Sequence, residues 1–370
     1  MKRLLRTSSS RLRLAIWIIA SLILLLAFFL FVPVFVALRA GIAGLSLALF
    51  TPLLLTALFL AFAAWHRHLT QAAVLASLAT TVALLSIVAV QMNFVTSAQR
   101  EQASLSFNPV RYLTFTGDSI RPSRTFVYKE VAGQPLRLAV YGAHSAKPAA
   151  TVLLVHGGGW QYGDYLRTNN WPELLTEQGY RVISIEYRLA TPASPTWDKA
   201  PTDINDAVSY IKQHASQLGV QTDRMALLGQ SAGGHLALLE AYRSQSVKAV
   251  VGLYAPTDLA EDYRLSTDKD SELAFLGGTP EQVPRRYEAT SVQRAISSAA
   301  PATLLIQGLS DDLVSYTSSV NTSRKLHDAG IPYRLVLLPY TGHSFENQVG
   351  GFATQIGEQV VIEFLADILQ

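Results

Sequence analysis

A serine flanked by glycines is the first feature of this sequence that could carry out chemistry. Ser231 lies in G-Q-S-A-G at 229–233, directly after the apolar run 225–228 and before a helical stretch over 232–243. A serine on a sharp strand-to-helix turn has little space around it, so glycines are favoured on both sides, and the helix N-terminus stabilises developing negative charge. The pattern predicts a nucleophilic serine, and its alternative is a serine that only caps the helix.

A second glycine-rich segment, H-G-G-G-W at 156–160, follows the apolar run 151–155. Successive glycines let backbone N–H groups approach a ligand with no side chain in the way, as in oxyanion holes of the HGGG type. The amides of Gly158, Gly159 and Ala232 are therefore predicted to surround the oxygen anion of a tetrahedral intermediate. A phosphate-binding loop is the alternative, but neither Lys-Ser/Thr nor G-x-G-x-x-G follows.

A nucleophilic serine needs a general base, and the base needs an acid that orients it. After Ser231, one apolar run ends before Asp311 and Asp312, and the next ends before His343. Serine, acid and histidine follow one another in this order along the chain of α/β hydrolases. The order predicts His343 as the base and one of the two aspartates as the acid, which chemistry alone does not separate.

The other candidate acidic and histidine side chains are expected to have structural roles. Asp258 also follows a predicted strand and is the outside candidate for the acid, but together with Glu261 it fits a helix capping box better. His235 lies one helical turn beyond Ser231 and is expected to pack beneath the serine turn. His327 is expected on a solvated helix.

The elements that must position these residues alternate between short apolar runs and amphipathic stretches, which is typical of α/β proteins. Apolar positions 204, 207, 208 and 211 predict a helix that Gly219 would end, and a last helix is predicted over 352–369. Seven apolar runs are candidate strands of a sheet covered on both faces: 136–141, 151–156, 181–187, 224–229, 248–254, 302–307 and 333–339.

Together the motifs resemble the α/β-hydrolase superfamily, and within it the esterase/lipase group related to hormone-sensitive lipase and to acetyl-ester hydrolases with an H-G-G-G-W loop. The resemblance covers about residues 124–369 and includes E-Y-R-L-A at 186–190, Asp206 and L-G-G-T-P at 276–280. It implies an α/β-hydrolase fold, with a mostly parallel central sheet, helices on both faces and a small cap. The segment 258–298 is the candidate cap, or else a surface excursion.

The resemblance also implies roles for the residues of the motifs. In the family motif H-G-x-x-D the acid comes three residues after the glycine, which is Asp311 here, whereas Gln307 stands in place of the family histidine. Ser231 would then attack an ester carbonyl, His343 would carry the proton, and water would release the acyl group. No metal or organic cofactor is implied.

The implied activity is carboxylesterase- or lipase-like hydrolysis of small-molecule acyl esters, with short acyl chains expected. Trp160 and Tyr162 are predicted to line the substrate pocket, with simple packing as the alternative. A serine peptidase or amidase uses the same triad, although peptidases of this superfamily usually add a propeller domain, which is not expected here. An acyltransferase or a non-catalytic binding module would also fit this fold, and a fluorophosphonate probe would label only an active serine.

The N-terminal hundred residues differ in composition from the rest of the chain. They contain eight Lys or Arg and no Asp or Glu, which leaves 22 basic and 27 acidic residues in 101–370. The net charge of +3 therefore originates in the N-terminal part, and nucleic-acid binding is not supported. The absence of cysteine excludes a disulfide framework, a thiol nucleophile and thiolate metal ligands.

Three segments in this N-terminal part, about 14–37, 42–64 and 71–92, are predicted to cross a membrane, because about 20 apolar residues span the hydrocarbon core. Five Lys or Arg precede the first segment, which predicts a cytoplasmic N-terminus. Residues 1–100 would then be a multi-pass anchor in the bilayer of the cell membrane, and 104–370 an extracytoplasmic catalytic domain. A cleaved signal peptide is the alternative for the first segment.

This topology predicts that protease added to intact cells or spheroplasts digests residues 104–370, because an odd number of spans places them opposite the N-terminus. An antibody against the catalytic domain would follow the digestion. Digestion only after lysis would instead indicate an internal domain and an even number of spans.

Overall fold

The computed structural model describes residues 2–31, 46–66, 70–112, 120–142, 148–266 and 268–369. The parts 32–37 and 42–45 of the first two predicted spans lie outside the described residues. Three N-terminal helices are α1 (Lys2–Phe31), α2 (Ser46–His66) and α3 (Thr70–Arg100). Two of them, over Ser10–Leu30 and Gln71–Arg100, are long and apolar enough to cross a membrane by length and composition, whereas α2 contributes the shorter apolar stretch Thr51–His66.

Buried residues show how the three N-terminal helices are arranged. Ile16 in α1 shares a small apolar cluster with Ala64 near the end of α2 and with Ala72 and Ala76 at the start of α3. A second, larger cluster includes residues from the next turns of α1 and α3 and from an earlier turn of α2: Ala20, Ala83 and Ala57. The helix α2 therefore runs antiparallel to α1 and α3, which run parallel to each other. Small alanine side chains at these positions let the helices approach closely.

An eight-stranded sheet forms the centre of the remaining chain, in the order β1-β2-β4-β3-β5-β6-β7-β8. The strand β2 is antiparallel to both β1 and β4, and all other neighbouring pairs are parallel. The strands are β1 (Arg124–Val131), β2 (Gln134–Tyr141), β3 (Ala149–Val155), β4 (Arg181–Ile185), β5 (Val220–Gln230), β6 (Ala249–Leu253), β7 (Ala302–Gly308) and β8 (Tyr333–Leu338).

All seven predicted strands are present, and β1 is the strand that the sequence pattern did not indicate. Along 124–128 its side chains alternate between exposed and more buried positions, because one face of this edge strand packs on the core and the other faces solvent. The central strands carry continuous apolar runs instead. In β5, Leu227 and Leu228 belong to two different cores, one on each face of the sheet.

Helices cover both faces of the sheet. They are α4 (Pro109–Tyr112), α5 (Trp171–Glu177), α6 (Lys199–Gln213), α7 (Ala215–Leu218), α8 (Ala232–Ser244), α9 (Leu259–Leu265), α10 (Asp270–Leu276), α11 (Pro284–Thr290), α12 (Val292–Ala295), α13 (Tyr316–Asp328) and α14 (Phe352–Leu369). Gly219 adopts the left-handed conformation, with φ of 70°, but it ends the short helix α7. The amphipathic helix α6 already ends at Gln213, so the predicted position of its end was wrong.

A buried carboxylate on α6 ties this helix to β1 and to the segment after β4. Asp203 has no exposed side-chain surface, and it pairs with Arg188 and Lys129 at 2.7 Å each. Asp206, one turn along α6, also contacts Lys129 but is 40% exposed. Because Arg188 follows β4 and Lys129 lies in β1, Asp203 holds two strands and a helix together.

Asp203→Ala is expected to lower the free energy of unfolding by about 3 kcal/mol, because it leaves two partly buried cations without their common partner. The matched variant Asp206→Ala removes an exposed partner of Lys129 and is expected to change it by less than about 1 kcal/mol. Urea unfolding of the full chain in detergent measures both. Equal effects of the two variants would contradict this ranking.

Candidate active site

The turn between β5 and α8 holds Ser231 in a conformation that few residues adopt. Its φ is 52° and its ψ is −122°, and its N–H donates to the Leu253 carbonyl at 2.9 Å. A Cβ at Gly233 would lie 2.2 Å from the Val155 carbonyl oxygen, so only glycine allows α8 to start this close to β3. The result is the sharp strand-to-helix turn that the glycine pattern predicts.

Ser231, His343 and Asp311 form one continuous chain of hydrogen bonds, with His343 in the middle. His343 Nε2 is 2.9 Å from Ser231 Oγ, and its Nδ1 is 2.8 Å from Asp311 Oδ2. The three residues come from loops after β5, β7 and β8, at the carboxyl edge of the sheet. We call this edge the catalytic edge. Neighbouring parallel strands bring their carboxyl ends together, so residues far apart in sequence meet here.

The carboxylate of Asp311 is held by backbone and side-chain donors. Asp311 Oδ1 accepts hydrogen bonds from the N–H groups of Leu313 and Val314, at 3.0 and 2.9 Å. Its Oδ2, which faces His343, also accepts from Gln307 Nε2 at 2.9 Å. Gln307 thus orients the carboxylate from the position where the resembled family has a histidine.

Asp258, the outside candidate for the acid, performs the structural role expected of it. Its carboxylate accepts hydrogen bonds from the N–H groups of Ala260 and Glu261 and caps α9. Asp312 is next to the acid along the chain, but the carboxylate that contacts the imidazole of His343 is that of Asp311.

The glycine-rich segment after β3 borders the serine. Gly158 has φ of 118°, and a Cβ there would lie 2.2 Å from the Tyr162 carbonyl oxygen, so a side chain is excluded. Within the described part of the chain, the turn and loop hydrogen bonds between backbone groups include none donated by Gly158 or Gly159. Gly158, Gly159 and Ala232 line the cleft together with Ser231, as an oxyanion hole requires.

Trp160 and Tyr162 both border the cleft but have different environments. Trp160 is buried and stacks on Phe275 with ring centroids 4.7 Å apart, and its Nε1–H donates to His235 Nδ1 at 3.3 Å. Tyr162 is 71% exposed. His235 is fully buried beneath the turn, as expected, and its Nε2 lies 2.8 Å from the Thr290 carbonyl oxygen. His327 is exposed on α13.

The cleft that contains the serine has a volume of about 420 Å³. The segment 258–298, in which Thr267 lies outside the described residues, forms one wall with polar side chains: Ser266, Asp268, Ser271 and Glu272. Burial raises the pKa of Glu272 to about 7. Among the described residues, no group of three or more His, Asp or Glu side chains could hold a metal ion.

A buried carboxyl group beside the triad was missed in the sequence. Glu346 Oε1 accepts hydrogen bonds from Gln230 Nε2 at 2.6 Å, from Asn169 Nδ2 at 3.2 Å and from the Tyr254 hydroxyl. The Tyr254 ring in turn packs edge-on against His343, with centroids 4.5 Å apart. Burial raises the pKa of Glu346. Only its position, three residues after His343, could have indicated Glu346 in the sequence.

A family model described as BD-FAE matches residues 138–326, just over half of the chain. The chain is 29% identical over 258 residues to ethyl acetate hydrolase of Pseudomonas putida, covering 62% of this chain and 77% of that protein. It is 26% identical over 223 residues to esterase LipC of Mycobacterium tuberculosis, covering 54% of each.

Solved structures share the fold. The acetyl ester-xyloside bifunctional hydrolase from Caldicellulosiruptor lactoaceticus superposes with a TM-score of 0.59 at 20% identity, over 67% of this chain and 97% of that structure. Residues 1–100 lie outside the region matched by the family model. The chain therefore has the α/β-hydrolase fold with a mostly parallel sheet, as expected.

The buried His235 is expected to make stability depend on pH. Burial lowers its pKa from 6.5 to about 4, so between these values the unfolded chain binds a proton that the folded chain does not. The contribution of neutral His235 to the free energy of unfolding is complete above pH 6.5 and is lost as the pH falls towards 4. The difference in unfolding free energy between the natural chain and His235→Gln should therefore shrink over this range in urea titrations. A constant difference would contradict this assignment.

Proposed function

Since the chain belongs to the BD-FAE family and is a carboxylic-ester hydrolase, we propose that it cleaves short-chain acyl esters through an acyl-enzyme on Ser231. The observation that carries this proposal is the continuous hydrogen-bond chain from Ser231 through His343 to Asp311. It lies in a cleft that Gly158 and Gly159 also line. The similarity to ethyl acetate hydrolase supports a small ester as the substrate.

In the proposed mechanism, His343 Nε2 accepts the proton of the Ser231 hydroxyl as Oγ bonds to the ester carbonyl carbon. The carbonyl oxygen becomes an anion that the N–H groups of Gly158, Gly159 and Ala232 stabilise. His343 then donates the proton to the departing alcohol. Water, deprotonated by His343, attacks the acyl carbon, and His343 returns the proton to Ser231 Oγ as the acyl–oxygen bond breaks and the carboxylic acid leaves.

Asp311 has two functions in this proposal. It accepts the Nδ1–H of His343, which leaves Nε2 as the atom that takes the serine proton, and its charge stabilises the imidazolium formed. The donors on both carboxylate oxygens, including the Gln307 amide, keep it in the plane that the imidazole needs.

The preference for short acyl groups is supported by the polarity of the cleft. A long alkyl chain would have to displace water from the polar wall, because Asp268 and Glu272 face the cleft. Trp160 and Tyr162 are proposed to contact the substrate.

We further propose that residues 1–100 anchor the enzyme in the cell membrane through three spans, with 104–370 as the extracytoplasmic catalytic domain. Only 22% and 28% of the most apolar parts of α1 and α3 are buried. Large apolar side chains such as Trp17, Phe59 and Leu85 are more than half exposed, which is typical of lipid-facing helices and not of core helices. The basic N-terminus supports its cytoplasmic location.

Hydrolysis of p-nitrophenyl esters from acetate to decanoate by the full chain in detergent tests the activity. Ser231→Ala is expected to lower kcat by at least about 10⁴-fold, because no nucleophile remains. Asp311→Asn is expected to lower kcat by about 10⁴-fold, since an amide N–H facing Nδ1 selects the wrong imidazole tautomer. The rate is expected to fall from acetate and butyrate towards decanoate.

Asp312→Asn is the matched control, because it makes the same change at the neighbouring position and is expected to keep kcat near that of the natural chain. A folded Ser231→Ala protein with undiminished hydrolysis would refute the proposed nucleophile. Equal losses in the two aspartate variants would refute the assignment of the acid.

A further inference from the structure

We propose that the catalytic edge of the domain lies against the surface of the bilayer that the N-terminal helices cross, so that esters reach Ser231 from the lipid–water interface. This proposal rests on the ester hydrolysis and the membrane anchoring proposed above. Two independent observations carry it: the direction in which α3 meets the catalytic domain, and the apolar side chains exposed at the catalytic edge.

The helix α14 provides the reference direction. It begins at Phe352, shortly after His343, and therefore starts at the catalytic edge. It ends at Leu369, whose carbonyl accepts a hydrogen bond from Arg224 in the first half of β5. The helix thus runs from the catalytic edge to the opposite edge of the sheet, where the parallel strands begin.

The end of α3 lies along α14 in the same direction. The Phe94 ring packs edge-on against Phe352, with centroids 6.1 Å apart, at the catalytic edge. Glu101, just after α3, pairs at 3.0 Å with Arg334 near the start of β8, which is at the opposite edge. Since α3 reaches the domain at its catalytic edge, the preceding apolar part of α3 must lie beyond that edge.

The register of the N-terminal helices indicates how close the apolar region is. Ile16 in α1 is level with Ala72 and Ala76 in α3. Because both helices are continuous and parallel, Leu30 at the end of the apolar part of α1 is level with about residues 86–90 of α3. Phe94 lies one to two turns farther on, or roughly 6–12 Å. The catalytic edge is therefore adjacent to the end of the apolar bundle.

The connection between the helices and the domain is fixed by a set of side-chain bonds. Gln359 accepts from the Ser104 N–H at 2.8 Å and donates to the Ser104 carbonyl at 2.7 Å. Gln355, one turn earlier on α14, makes the same pair of bonds to Ser106, both at 2.8 Å. Arg334 joins Glu101 to Glu363. These bonds hold the domain in one orientation relative to α3.

The second observation is the set of apolar side chains around the cleft. Gly350 donates to the Arg111 carbonyl, which places α4 beside the segment that follows His343. Six large side chains from three loops and helix starts at this edge are between 38% and 75% exposed: Phe107, Val110, Tyr162, Leu166, Leu313 and Tyr316. Arg111 and Arg167 are exposed among them, and Arg167 lies 3.9 Å from the Asp164 carboxylate. Apolar groups with interspersed arginines suit the headgroup region of a bilayer.

The bilayer is the surface that covers these apolar side chains, because α3 leads directly from the catalytic edge into the apolar N-terminal helices. The cleft would then open towards the headgroups, where polar and apolar groups meet, and its polar wall fits an ester at that depth. The substrates would be short acyl groups esterified to molecules held in the membrane interface.

Cysteine labelling of the full chain tests this orientation, because the natural sequence has no cysteine. Val110→Cys and Leu166→Cys place a bimane label at the catalytic edge, and Asp328→Cys places it on the exposed end of α13 at the opposite edge. Leu85→Cys reports on the apolar part of α3. The proteins are reconstituted into phosphatidylcholine vesicles containing phosphatidylglycerol, with a nitroxide lipid as quencher.

Quenching is expected at 85, 110 and 166 and not at 328. Quenching at 85 together with none at 110 and 166, or stronger quenching at 328 than at 110 and 166, would overturn the orientation. No quenching at any position would overturn the anchoring as well as the orientation. Hydrolysis of p-nitrophenyl acetate by the same vesicles reports separately on the proposed activity, so its loss is distinguished from a wrong orientation.

Discussion

The close approach of α8 to the end of β3 is the packing constraint on which the candidate site depends. Gly233 has no side chain, so the first turn of α8 lies against the Val155 carbonyl. This approach turns the chain sharply at Ser231 and points the helix N-terminus towards the serine. The glycine-rich segment that follows β3 can then border the same space, because both segments leave neighbouring strands at one edge.

Hydrogen bonds fix the positions of the polar side chains around this turn. The Asp311 carboxylate accepts from three donors besides the imidazole. The Gln307 amide that supplies one of them is itself held by the Ser319 hydroxyl and the Val314 carbonyl. On the other side of the imidazole, Tyr254 and Gln230 are joined through Glu346. Such buried polar groups are favourable only when their partners are in place, so the surroundings of the triad act as one unit.

The connection with the N-terminal helices is also fixed by hydrogen bonds. Two glutamines on α14 each bind both backbone groups of one serine in the extended segment after α3, as a neighbouring strand would do. Since α14 also packs on the sheet that carries the triad, the direction of α3 and the direction in which the cleft opens are parts of one rigid arrangement. Under the proposed anchoring, the position of the domain relative to the membrane would thereby be coupled to access to the site.

The sequence by itself determined the features that arise from local sterics and periodicity. Glycines at 157, 158, 229 and 233 are required by close backbone approach, and continuous apolar runs reveal strands that are covered on both faces. Only the tertiary structure decided what depends on distant segments. The contact between Asp311 and His343, the edge strand β1 with its alternating side chains, and the burial of Glu346 all require neighbours from elsewhere in the chain. The direction of α3 is of this kind too, because helix packing is set by side chains more than 200 residues away, as in the Glu101–Arg334 pair.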